Sequence, residues 1–91
     1  ENFDYEKLKR GISISCAKRP VSAADIERLV GQVETELQKM GKSEVSSRII
    51  GDKVIEGLKE LDQVAYIRYA IVYLEMDNLH VLRAEIDGLL E

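Results

Sequence analysis

One local pattern recurs five times along the chain and limits the fold more than any other feature. An apolar residue precedes a small polar one, and a second apolar residue sits five positions after the first. The sets are Phe3/Asp4/Leu8, Val21/Ser22/Ile26, Val45/Ser46/Ile50, Leu61/Asp62/Tyr66 and Met76/Asp77/Val81. This is the arrangement of a helix N-cap with a hydrophobic staple. The cap side chain accepts a backbone N–H that the first turn leaves unpaired, and the apolar pair clamps that turn. Ser22 with Asp25 three residues later also approximates a capping box. Stop signals agree: the residue before Pro20 avoids the α region, and Gly41 can take a left-handed cap. The spacing predicts five helices at about 4–18, 22–40, 46–60, 62–75 and 77–90, hence an all-α compact bundle.

The apolar faces of these segments differ. Ile26, Val30, Val33, Leu37 and Met40 form one stripe on the second helix. Ile50, Val54, Leu58 and Leu61 do so on the third, and Leu79, Leu82, Ile86 and Leu89 on the fifth. The fourth segment, Val64 to Leu74, carries only one charge, Arg68. A helix that is apolar all round is normally enclosed by others, so this one is expected at the centre of the bundle.

A length of 91 residues leaves room for one domain, and 45% apolar with 33% charged residues is the composition of a folded globule. The chain opens at Glu1-Asn2-Phe3 without a methionine, which suggests a fragment. Cys16 is the single cysteine, so no disulfide and no cysteine zinc site can form within the chain. One cysteine and the lack of a signal peptide or of a run of ~20 apolar residues suit a cytoplasmic protein with no membrane partner. The net charge of −4 is uneven: residues 1–20 carry five basic and three acidic residues, and the rest carry eight and fourteen. An acidic body is a poor direct partner for duplex DNA, because phosphate contacts carry most of that affinity. A small basic end fits an anion such as a nucleotide phosphate better, although by itself the charge pattern favours scatter in a short segment.

Several residues invite a chemical reading. Arg68 in an apolar helix must snorkel, pair with a carboxylate or meet an anion, and a structural pair is favoured. Tyr66, Tyr69 and Tyr73 step by three and four along one side, where rings can stack on a base or simply fill the core. Asp52, Glu56 and Glu60 form an acidic line, read as a solvated face. Asp77 and His80 have D-x-x-H spacing, but a metal site needs ligands from further helices. Cys16 continues the Leu8 and Ile12 stripe, which favours packing over a nucleophilic pair with His80. Neither a P-loop nor a G-x-G-x-x-G run is present, so the motifs do not describe an enzyme.

Three runs together resemble a known family: FDYEKLKRGI with CAKRPVS soon after, EVSSRIIGDKVIEGLKELD, and QVAYIRYAIVY. They are similar, in order and spacing from Glu1 to about Asp77, to the ATP-cone domain of the bacterial transcriptional repressor of ribonucleotide reductase genes. The resemblance implies a domain that binds ATP or dATP and changes oligomeric state in response. A separate zinc ribbon contacts DNA in that family, and a small hairpin carries a V-x-K-R-x-G run. Neither lies within these residues, so much of the phosphate site is missing and binding of ATP or dATP by this chain is expected to be weak or absent; DNA contact would run through the absent ribbon and this chain itself would hold no metal. The nucleotide-binding residues implied are Glu1 in the E-x-F segment, Lys7 and Arg10 in the basic end, and Tyr66, Arg68 and Tyr73 in the V-A-Y-x-R run. Ile71 and Leu74 stand where the family has a serine and an arginine, which adds apolar surface and an expectation of self-association. The leading expectation is therefore a purine-nucleotide-sensing regulatory domain and not an enzyme. The alternatives are a ligand-free oligomerising or engineered helical scaffold, and a small enzyme using Arg68, Lys7 and Arg10 on an anionic substrate.

Overall fold

A computed structural model describes residues 4–41 and 45–91. Five helices follow in order: α1 Tyr5–Ser15, α2 Ala23–Lys39, α3 Ser47–Leu61, α4 Gln63–Tyr73 and α5 Leu79–Leu90. Among the described residues there is no strand. The all-α bundle inferred from the cap pattern is therefore the fold.

Four of the five expected caps work as the pattern requires. Asp4, Ser22, Ser46 and Asp62 accept from the backbone N–H of Lys7, Asp25, Ile49 and Ala65. Ser22 and Asp25 complete a reciprocal capping box. Phe3, the apolar partner of the first staple, lies outside the described residues. The fifth cap is displaced by one residue. Asn78, not Asp77, caps α5 and accepts from Val81 N–H. Asparagine and aspartate cap equally well, so two adjacent candidates leave the register to the turn that precedes them.

That turn is a Schellman motif. Met76 N–H donates to Ile71 C=O at 3.0 Å and Glu75 N–H to Val72 C=O at 3.4 Å, with Glu75 in the left-handed region at φ 52°. It ends α4 at Tyr73, two residues before the expected stop. At the end of α2, Gly41 takes φ 69° as expected. Helix α1 stops at Ser15, three residues early, because Lys18 turns left-handed at φ 61°. The carbonyls freed there are taken by Arg68, whose Nη1 donates to Ser15 O at 3.2 Å and Ala17 O at 2.7 Å.

The helices pack as a closed ring: α1 on α2, α2 on α3, α3 on α4 and α4 back on α1. Helices α1 and α3 lie across the ring from each other and do not pack together. Ile12, Val30, Val33, Val54, Leu58, Tyr66 and the small Ala65 and Ala70 fill the centre. Three ion pairs tie the ring from outside. Lys9 reaches Glu27 at 2.9 Å, Lys53 of α3 reaches Glu36 of α2 at 3.4 Å, and Arg19 grips both carboxylate oxygens of Asp62 at 2.8 and 3.0 Å. Asp62 thus caps α4 and anchors the segment after α1 with one side chain.

Two expectations about burial are corrected. Helix α4 is not enclosed all round: Val64 and Leu74 are exposed and Val72 is 80% exposed. Its inward face is narrow because Ala65 and Ala70 let neighbours approach closely. Helix α5 packs only on α4 and has no buried residue, with Leu79 79% exposed. Its apolar stripe rests on the ring through the half-buried Leu82 and Leu89.

Candidate functional site

Helices α1, α3 and α4 leave a cleft of about 540 Å³ where the ring is not filled across its diagonal. Small-molecule sites usually occupy a few hundred to a thousand cubic ångströms. Its rim is polar, formed by Asp4 and Lys7 of the first turn of α1 and Ser47 of the first turn of α3. Its interior is apolar, with Ile50 and Tyr69, and the exposed Val72 stands at its mouth. A second, more apolar compartment of about 410 Å³ continues from it along α1, past Gly11 to Ile14 and Arg68. The two compartments share Gly11, Tyr69, Val72 and Tyr73.

Tyr73 is held as a wall between α3 and α4. Its ring lies where a side chain at residue 51 would be: a Cβ added to Gly51 would stand 2.1 Å from Tyr73 Cε1. The phenol then donates to Arg48 C=O at 2.7 Å, with an Asp52 carboxylate oxygen 3.4 Å away. Burial and the nearby Asp52 carboxylate both push the Tyr73 phenol above its ordinary value. Tyr69 packs beside it, ring centroids 6.0 Å apart and tilted by 34°. Burial raises the Tyr69 phenol too. Both rings therefore stay neutral at ordinary pH and present aromatic surface to the cleft.

The site residues expected from the sequence separate into groups. Lys7 and Tyr73 line the cleft. Arg68 borders the second compartment, but its guanidinium is engaged by the carbonyls at the end of α1. The carboxylate pair favoured for it is not what the structure shows: its partners are backbone oxygens, which a helix C-terminus presents with partial negative charge. Tyr66 is 2% exposed, and its hydroxyl donates to Glu85 of α5 while the Lys59 ammonium sits 5.0 Å from its ring centroid. Burial, then the Glu85 carboxylate, push the Tyr66 phenol up to about 12. Tyr66 therefore joins α4 to α5 and does not border the cleft. Arg10 is exposed and is not among the cleft-lining residues. Glu1 lies outside the described residues.

Gly11, Gly51, Ser47 and Val72 also line the cleft, and Tyr69 of the tyrosine stripe lies between its two compartments, with no motif in the sequence marking them as site residues. The signal that singles out the glycines is their position inside otherwise regular helical patterns. Cys16 is buried at the end of α1, where desolvation raises its thiol, and His80 is exposed on α5. No cluster of three or more His, Cys, Asp or Glu suited to a metal occurs among the described residues. No helix among them is long and apolar enough to cross a membrane.

A four-helix ring with an open cleft on its diagonal and a lysine at the rim defines a helical domain built around a small-molecule-sized site. The family model described as the ATP cone domain matches residues 1–79, and the chain belongs to that family. It is 47% identical over 91 residues to the transcriptional repressor NrdR of Chloroflexus aurantiacus, covering the whole chain and 55% of that protein. It is 46% identical over the same length to the transcriptional repressor NrdR of Listeria welshimeri, covering 59% of that protein. The chain thus spans a little over half the length of these relatives. Identity at this level over the whole chain does not support a ligand-free oligomerising or engineered scaffold.

Proposed function

We propose that this domain is a purine-nucleotide sensor that takes ATP or dATP in the cleft between α1, α3 and α4. The observation that carries the reading is the placement of Lys7 and Tyr73 around one nucleotide-sized cleft in a member of the ATP-cone family. Lys7 supplies the positive charge for phosphate at the polar rim. Tyr69 and Tyr73 supply neutral aromatic surface for base and sugar. Arg68 and Tyr66 serve the site from outside it: Arg68 fixes α1 against α4, and Tyr66 fixes α5. Arg10 adds positive charge to the basic end without lining the cleft, and Glu1 enters this reading through the family resemblance alone.

The relatives carry the name of transcriptional repressor. In the same reading this domain is the regulatory part of a cytoplasmic repressor of ribonucleotide reductase genes. Nucleotide occupancy alters self-association, DNA is contacted by a separate zinc ribbon, and no reaction is catalysed. Titration calorimetry with ATP and dATP tests the core of this proposal. Weak binding is expected for the wild-type chain and tighter binding once the upstream hairpin is restored, each weakened roughly ten-fold in Lys7→Ala by loss of one charge-assisted phosphate contact. Equal affinity of Lys7→Ala and wild type would remove the assigned phosphate position, and no binding of either nucleotide by the longer chain would remove the sensor itself.

A further inference from the structure

Gly11 stands out among the glycines of this chain because nothing in the folded protein requires it and yet it borders the cleft. Gly41 needs its positive φ, Gly51 makes room for the Tyr73 ring, and Gly57 makes room for Leu29. Gly11 lies inside α1 with no positive φ, and a Cβ placed on it meets no atom within 4 Å. Alanine would fit there and would strengthen the helix. Gly31 and Gly88 are equally open, but neither borders the cleft or its second compartment. The space beside Gly11 is the junction of the polar compartment at Lys7 and the apolar one at Ile14, Tyr69 and Val72.

We propose that Gly11 is a specificity-determining residue of the cleft: its missing side chain is the passage between the two compartments, and the purine-bearing part of the nucleotide lies there against bare α1 backbone. The proposal rests on the reading of the cleft as a nucleotide site. An anionic group held at the Lys7 rim leaves a flat apolar body to run inward, and the way inward passes Gly11. A glycine is the residue that lets a ligand approach a helix backbone this closely.

The test sets stability against affinity. Gly11→Ala, Gly11→Leu and the control Gly31→Ala are compared with wild type, each with the upstream hairpin restored, by thermal melting and by calorimetry with ATP and dATP. Gly11→Ala and Gly31→Ala should both raise Tm by roughly 2–8 °C, the yield of replacing a mid-helix glycine in a domain of this size. Gly31→Ala should bind as wild type does. Gly11→Ala should bind about ten-fold more weakly, the cost of one methyl standing where the bound ring would pack, and Gly11→Leu more weakly still. A more stable protein with poorer binding is an outcome that a merely structural role cannot produce. Wild-type affinity in both Gly11 variants would overturn the proposal while leaving the nucleotide site intact. Absence of binding in wild type would overturn the functional reading and this inference with it.

Discussion

Gly51 and Tyr73 form a contact in which one substitution should change sign with its background. Gly51 is a buried mid-helix residue, so alanine there should gain about 0.5–1 kcal/mol of helix stability on backbone grounds alone. The added Cβ would stand 2.1 Å from Tyr73 Cε1 and 2.2 Å from Cζ, which no ring rotation relieves. Tyr73 must swing away from α3, losing its 2.7 Å hydrogen bond to Arg48 C=O, worth about 1 kcal/mol, and its packing on the helix. Overpacking of this kind costs about 1–3 kcal/mol. The net expectation for Gly51→Ala is a loss of about 1–2 kcal/mol, or a Tm lower by roughly 4–16 °C. In a Tyr73→Ala background the obstacle is gone, and the same substitution should stabilise by about 0.5–1 kcal/mol. Urea denaturation of the four proteins of this cycle, followed by far-UV circular dichroism, gives the coupling directly. An equal stabilising effect in both backgrounds would refute the view that Gly51 exists to seat Tyr73.

Two further predictions concern pH. The Tyr66 phenol is raised from 10 to about 12, so its contribution to stability is complete below pH 10 and is lost as pH rises from there toward 12. Tyr66→Phe should abolish the last phenolate absorbance step and flatten the alkaline fall in stability; an unchanged alkaline titration would contradict the buried assignment. The Asp62 carboxyl is held below its usual value of 3.8, chiefly by its hydrogen bonds with Arg19. The stability it confers is present above that value and is lost as pH falls through it and below. Asp62→Asn keeps a capping side chain but should flatten the acid limb of the stability curve, and an acid midpoint identical to wild type would show that the bond to Arg19 contributes nothing.

The helices were legible because a cap and its staple are local. Asp4, Ser22, Ser46 and Asp62 announce their helices within five residues of chain, and each does so independently of tertiary packing. What went unread is what depends on a facing element. The α4 run looks like a fully enclosed helix, yet Val72 opens onto the cleft because α1 and α3 stand apart there. Spacing places Tyr66 and Tyr73 on similar sides of α4, and it cannot tell that Glu85 of α5 takes the first while the gap at Gly51 takes the second. Arg68 was rightly singled out as a charge that needs partners. Those partners are carbonyls more than fifty positions upstream, at a helix end whose place only the fold determines.

The closed ring has a mechanical side. Its four helices meet along the edges, and side chains from all four close its centre. The gap between α1 and α3 is open only toward their first turns, beside Lys7 and Ser47. In the proposed reading a nucleotide seated there is a strut across the one unbraced end of the frame, joining two helices that otherwise do not touch. Occupancy then registers as stiffness at that end, with little rearrangement of any single helix.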